Sequence, residues 1–200
     1  MSGKAMDMMP TIGTPQVLLS HHLKQLKLPT VLREYDKVAR ECARDGVDHP
    51  RYLLRLVELV LELARCEFIL RRENIVALGN SGTGKTHVAL ALGLAACQKG
   101  FPVAFTTAAA LVHQLMEARD EKRILRLQRE LQTVKLLIVD ELGYVPLSPT
   151  GAELLFEVLS QRYERGSTIV TSNLPFEDWT SVLGSERLTG ALLDRLTHHV

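Results

Sequence analysis

The sequence lacks an excess of charge of either sign: 24 lysines and arginines stand against 23 aspartates and glutamates, a formal net charge of +1. A nearly neutral chain exerts little whole-molecule attraction on nucleic acid or an anionic membrane, so any such binding must come from a local patch. Cysteine is scarce. The three present, Cys42, Cys66 and Cys97, show no CxxC or metal-type spacing, and an odd number cannot close a disulfide framework. They are expected to be reduced thiols, mostly buried. A long uncharged apolar run is also absent. The most apolar stretch, Tyr52 to Leu70, carries Arg55, Glu58, Glu62, Arg65 and Glu67, charges too costly for a helix in lipid. The start of the chain has no apolar core or cleavage site of a secretory leader. Residues 1–16 are therefore expected to form a disordered head, and the expected location is cytoplasmic. With 46% hydrophobic and 24% charged residues, the 200-residue chain has the balance of a globular protein, which excludes wholesale disorder.

Periodicity divides the remainder in two. From Val17 onward, apolar residues recur at helical spacing, punctuated by Pro29. A third helix is expected to start near Asp48 and Pro50 and to run through LLRLVELVLELARCEFIL to Leu70, so residues 17–70 are assigned to a helical N-terminal domain. Beyond Arg71 the pattern alternates. IVALG, PVAFTT, KLLIVDEL and STIVTSN are short apolar or β-branched runs. Between them lie THVALALGLAACQKG, a basic stretch of one or two helices, and GAELLFEVLSQRYERG; a helical tail ends the chain. Strands alternating with helices predict an α/β domain over residues 71–200, its parallel sheet covered by helices on both faces.

Gly79 to Thr86 read GNSGTGKT, a complete GxxxxGKT pattern between a strand and a helix. Gly79, Gly82 and Gly84 permit a tight loop whose backbone N–H groups turn inward on phosphates, aided by the positive end of the following helix. Lys85 reaches the β and γ phosphates, and the Thr86 hydroxyl is a ligand for Mg²⁺. Asn80, Ser81, Thr83 and His87 complete the candidate nucleotide-binding set. A second element, KLLIVDEL, ends in adjacent carboxylates at the carboxyl end of a strand, where open α/β sheets hold their ligands. Asp140 is expected to support Mg²⁺ through its water shell, and Glu141 to orient and polarise the attacking water. A third, Thr171-Ser172-Asn173, ends the next strand and places Asn173 as a sensor of the γ-phosphate. These residues predict a P-loop nucleotide hydrolase that uses Mg²⁺.

GNSGTGKT, LLIVDELGYVPLSPTGAELLFEVLSQRYERGSTIVTSNLPFEDW and LTGALLDRLTHH together resemble the IstB-like AAA+ ATPases that assist insertion-sequence transposition, and more distantly the DnaC-type helicase loaders. The resemblance extends to LLSHHLKQLKLPTVLREY and covers most of residues 17–199. It implies an ATP-dependent oligomer that binds double-stranded DNA and prepares it for, or stimulates, a cognate transposase. It also matches Arg195, in LLDRL, to the arginine that a neighbouring subunit inserts into the active site, with Arg187 as a competitor. The chain departs from the pattern in two places. A basic, aromatic-containing stretch before the phosphate loop is missing, and the sequence given stops soon after Arg195 where family members continue with a strand and a lid. On these grounds nucleotide binding is expected to be more secure than hydrolysis. A helicase loader and an ATP-binding copy without turnover remain the alternatives.

Between Arg119 and Lys135 six basic residues face three acidic ones. If the stretch is helical, Lys122, Arg126 and Arg129 share a face, and with Arg123 they form the candidate DNA contact, the alternative being a solvated helix face.

Overall fold

In the computed structural model residues 49–197 are described. The expected head, the helices expected between residues 17 and 48, and Cys42 lie outside them. The chain divides into two compact units, residues 1–62 and 63–200, so the boundary lies eight residues earlier than residue 70. Helix α1 (His49–Leu63) carries Pro50 in its first turn, where a missing N–H costs nothing. It does not run on to Leu70. Cys66 adopts a left-handed φ of 62°, and a separate short helix α2 (Glu67–Arg71) follows. The break turns Cys66, Phe68 and Ile69 into the core of the second unit. Burial pushes the Cys66 thiol up, with the Lys99 charge opposing. Cys97, by contrast, is exposed, because it falls on the outer face of its helix.

The second unit is an α/β layer structure. Strand β1 (Ile75–Leu78) leads to α3 (Lys85–Gln98), β2 (Val103–Thr107), α4 (Ala108–Asp120), α5 (Ile124–Thr133) and β3 (Leu136–Leu142). Then come α6 (Pro149–Arg162), β4 (Ser167–Ser172), a 3₁₀ turn (Phe176–Asp178), α7 (Trp179–Leu183) and α8 (Glu186–Thr197). All strand pairs are parallel, in the order β1-β4-β3-β2. The two inner strands are buried at every position except Glu141, which explains their continuous apolar sequences. Alternate residues of β3 point to opposite faces. Leu137 and Val139 join Leu111, Leu115, Leu155 and Trp179 in one cluster. Leu136 and Ile138 join Ala89, Leu92 and Ala96 in the other. Local chemistry fixes the helix starts. Thr107 Oγ1 accepts from the Ala110 N–H at 3.2 Å, and Ser148 Oγ accepts from the Gly151 N–H at 3.1 Å ahead of Pro149.

One buried charge locks the end of the sheet opposite the phosphate loop. The Arg162 side chain is 2% exposed, yet its guanidinium donates to four protein acceptors. These are Leu131 O at 2.6 Å, Val134 O at 3.1 Å, Ser167 O at 2.7 Å and Thr168 Oγ1 at 3.3 Å. It thereby joins the end of α5, the end of α6 and the start of β4. Burial lowers its pKa to about 10, so the group remains charged at neutral pH. Because the folded-state value lies below the unfolded one, the unfolded chain binds the extra proton in a window that opens at about pH 10. The cost of burying the charge is therefore constant below that window and is relieved only as pH rises through it. Replacing Arg162 by Met removes the donor to the carbonyls of Leu131, Val134 and Ser167. It is expected to lower stability by about 3 kcal/mol, equally at pH 6 and pH 9, as read from urea unfolding midpoints at the two pH values.

Candidate functional site

Strand β1 ends at Leu78 and the chain passes through residues 79–84 into α3. The turn demands backbone angles that side chains resist: φ is 79° at Gly82 and 90° at Gly84, the residue that caps α3. The helix ladder begins at once, with the Val88 N–H donating to Gly84 O at 3.0 Å. The N–H groups ahead of it are left pointing out of the helix end. Lys85 Nζ is held across the loop by the carbonyls of Gly79 at 2.6 Å and Asn80 at 2.8 Å. Thr83 Oγ1 donates to Asn80 O at 2.9 Å, and the Gly79 N–H donates to Ser172 O at 3.3 Å, fastening the loop to the end of β4.

Because β4 lies between β1 and β3, the ends of all three strands reach the same opening. Ser81, Gly82, Gly84, Lys85, Thr86 and His87 line a cleft of about 450 Å³ together with Glu141 and Asn173. The sequence-predicted phosphate loop and the two strand-end elements are thus brought to one place. Asp140 is 3% exposed at the floor. Its Oδ1 accepts from Thr86 Oγ1 at 3.0 Å and from the Thr171 hydroxyl. Glu141, the next residue, is exposed and turned to the cleft by a left-handed φ of 60°. Asn173 is exposed just past the end of β4.

A hydroxyl 3.0 Å from a carboxylate offers hard oxygen donors of the kind Mg²⁺ prefers, beside a loop that presents N–H groups and an ammonium to phosphate. Among the described residues no group of three or more His, Cys, Asp or Glu could hold a metal ion. The donor set therefore fits an ion that takes its remaining ligands from phosphate and water.

Three residues of the cleft were not legible as site residues. Thr171 belongs to the TSN element, but its own hydroxyl, bonded to Asp140, had no assigned role. Leu90 and Tyr144 also line the cleft, Tyr144 at 72% exposure. The signal for Thr171 was its placement one residue after the level of Val139 on the neighbouring strand. Pairing between strands cannot be read along one of them.

Arg195 is not brought to the loop of its own chain. Its guanidinium lies 5.1 Å from the centre of the Phe156 ring. Its backbone carbonyl accepts from Asn74 Nδ2 at 3.4 Å, next to the start of β1 and so at the other end of the sheet. Arg187 is exposed and lines a cleft with Arg195 and Phe156. The expected single helical face of Lys122, Arg126 and Arg129 is interrupted. Lys122 sits in a left-handed turn with φ 58° between α4 and α5, so only Arg126 and Arg129 are on the helix. All three nevertheless line one cleft with Arg123. Arg123 pairs with Glu121, and Arg126 pairs with Glu130 at 2.9 Å, while among the described residues no ion pair engages Lys122 or Arg129. Also among the described residues, no helix is long and apolar enough to cross a membrane.

Residues 52–200 match the model of the family described as IstB-like ATP binding protein. An insertion sequence IS21 protein of Pseudomonas aeruginosa, assigned as ATP-binding, is 39% identical over 189 residues, 94% of this chain and 67% of that protein. Its counterpart from IS5376 of Geobacillus stearothermophilus is 42% identical over 140 residues, 70% of this chain and 56% of that protein. The chain thus spans about two thirds or less of the length of these relatives. Among solved structures, AMPPCP-bound DnaA from Aquifex aeolicus superposes with a TM-score of 0.61 at 22% identity, over 72% of this chain and 44% of DnaA. The DnaC helicase loader superposes at 0.60 and 22% identity, over 70% of this chain and 85% of its own. At those identities the likeness shows the fold, that of P-loop AAA+ proteins.

Lys85 contributes to the loop only through two carbonyls, so its removal is expected to spare the fold and weaken phosphate binding. Lys85→Ala should lower ATP affinity by about 10- to 100-fold, the loss of one or two charge-assisted hydrogen bonds, while the melting temperature stays within a few degrees. Fluorescent-nucleotide titration and thermal unfolding check the two halves of this expectation.

Proposed function

Because the chain belongs to the IstB-like ATP-binding proteins, we propose that it binds and hydrolyses Mg²⁺-ATP and serves a cognate transposase as a DNA-associated helper in the cytoplasm. The observation that carries this reading is the convergence of Lys85, Thr86, Glu141 and Asn173 on the one cleft at the carboxyl ends of β1, β4 and β3, with Asp140 bonded to Thr86 behind it.

The loop N–H groups and Lys85 bind the β and γ phosphates and neutralise charge as it develops there. Thr86 and Asp140 would hold Mg²⁺, Asp140 by way of water, and the ion would supply positive charge that stabilises the charge passed to the leaving group. Glu141 lies on the cleft side of the sheet and orients a water in line with the γ-phosphorus. The water oxygen forms the new bond to phosphorus, the bond to the β–γ bridging oxygen breaks, and the water proton passes to the Glu141 carboxylate. ADP and inorganic phosphate leave. Asn173 holds the water or a γ-phosphate oxygen through its amide. His87, beside Thr86, closes the rim.

Arg195 acts from a neighbouring subunit of a homo-oligomer. Its backbone is fastened beside the start of β1 and its guanidinium lies over Phe156, away from the residues that line the cleft, which supports a role in trans. Double-stranded DNA is contacted by Lys122, Arg123, Arg126 and Arg129. Their common cleft supports this, with Lys122 and Arg129 the two cations that make no ion pair among the described residues. The insertion-sequence names of the relatives support the transposition role.

Steady-state ATP turnover, with and without double-stranded DNA, tests the reading. Wild-type protein should hydrolyse ATP only with Mg²⁺ and faster with DNA. Glu141→Gln should lose about 10²- to 10⁴-fold in turnover while still binding ATP, since only the proton acceptor is removed. Equal turnover by the Gln variant would overturn the role of Glu141. Absence of any DNA effect on the wild type would overturn the DNA-associated part.

A further inference from the structure

At the mouth of the sheet the β3–β4 ladder slips. Val139 lies opposite Val170 and Leu142 lies opposite Ser172, so Asp140 and Glu141 together face the single residue Thr171. Such a bulge leaves one strand with a residue too many and re-aims the side chains beside it. Here it carries Glu141 into a left-handed φ of 60°, which residues with a Cβ rarely adopt. Its side chain is exposed, whereas every other residue of β3 is buried.

The slip also interrupts the backbone ladder, and one side chain takes over the interrupted bonding. The Glu141 N–H donates to Thr171 Oγ1 at 3.0 Å. The same hydroxyl donates its one hydrogen to Asp140 Oδ1. Thr171 is 1% exposed and Asp140 3%, so both side chains depend chiefly on protein partners for their hydrogen bonds. A hydroxyl alone among small side chains gives a hydrogen to the carboxylate while accepting one from the amide of the next residue. Thr86 Oγ1 reaches the same Asp140 oxygen from α3 at 3.0 Å, which leaves Oδ2 as the carboxylate oxygen without a protein donor among these bonds.

We propose that Thr171 is a positioning residue whose hydroxyl holds the bulge, fixing the Asp140 carboxylate toward Thr86 and presenting Glu141 to the cleft, so that both metal affinity and turnover depend on it. The proposal rests on the reading of the cleft as a Mg²⁺-ATP site. A residue that merely filled space would be replaced without effect by valine, which has the shape of threonine and no hydroxyl.

The test compares Thr171→Ser, Thr171→Val and Thr171→Ala with the wild type in three measurements: affinity for a fluorescent ATP derivative in EDTA and in Mg²⁺, single-turnover hydrolysis, and melting temperature. Serine keeps the hydroxyl and should retain most of the Mg²⁺-dependent tightening and of the rate. Valine and alanine should bind nucleotide in EDTA as the wild type does. They should lose about tenfold of the Mg²⁺-dependent tightening and about a hundredfold in rate. If valine unfolds the chain, the alanine and serine pair carries the comparison. A valine variant that tightens and turns over like the wild type overturns the proposal. So does a serine variant as impaired as valine, which would assign the effect to the methyl group. A wild type that binds without hydrolysing removes the turnover part of the functional reading, and the Mg²⁺-dependent tightening across the variants then decides the role of Thr171. A wild type with no such tightening overturns the proposal itself.

Discussion

A carboxylate taken out of water must be hydrogen-bonded, and around Asp140 that requirement organises the cleft. Hydroxyls from two other elements, Thr86 on α3 and Thr171 on β4, converge on one of its oxygens. The start of the phosphate-loop helix is thereby tied to the two central strands. The Gly79 N–H bond to Ser172 O adds a second tie from the loop to β4. Loop, candidate metal carboxylate and candidate base are consequently held as one unit, although Thr86 and Asp140 are 54 residues apart in the chain.

The arrangement also explains how an apolar sheet can end in chemistry. β3 and β4 are buried along their lengths, with packing on both faces, so the polar groups are confined to the strand ends where the helices diverge. At that end the chain tolerates a bulge and a left-handed residue. Together they cost about 1–3 kcal/mol, which the surrounding bonds and the two hydrophobic clusters offset. At the opposite end Arg162 performs a structural task by similar means, satisfying three carbonyls at the end of α5 and the start of β4, with no carboxylate paired to it among the described residues. One end is rigidified around a buried cation and the other is organised around a buried anion.

Much of this was legible along the chain because it is local. The GNSGTGKT loop and the apolar runs of β3 and β4 each follow from neighbouring residues. The parallel sheet followed from their alternation. What escaped the sequence depends on partners far away. The helix expected to reach Leu70 breaks at Cys66, because Phe68 and Ile69 have a core to enter that the helical periodicity does not reveal. Lys122 leaves its expected helical face since the chain turns between α4 and α5, and Cys97 falls on the exposed face of α3. Arg162 sits in a segment, QRYERG, that reads as a polar helix end, and only the carbonyls of residues 131, 134 and 167 make it a core residue. Thr171 matters only because the strand beside it slips by one residue opposite it, and a register slip leaves no mark in either strand's own pattern.

The most direct test of this account separates the charge of Asp140 from its oxygen. Asn at position 140 keeps an acceptor for the Thr86 and Thr171 hydroxyls but removes the negative charge, so Asp140→Asn should fold and should bind ATP in EDTA as tightly as the wild type. Titration of this variant with ATP in Mg²⁺ should then show no tightening over EDTA. Persistence of the wild-type Mg²⁺ effect in a folded Asn variant would contradict the account, because the metal would then be held without the carboxylate around which the cleft is built.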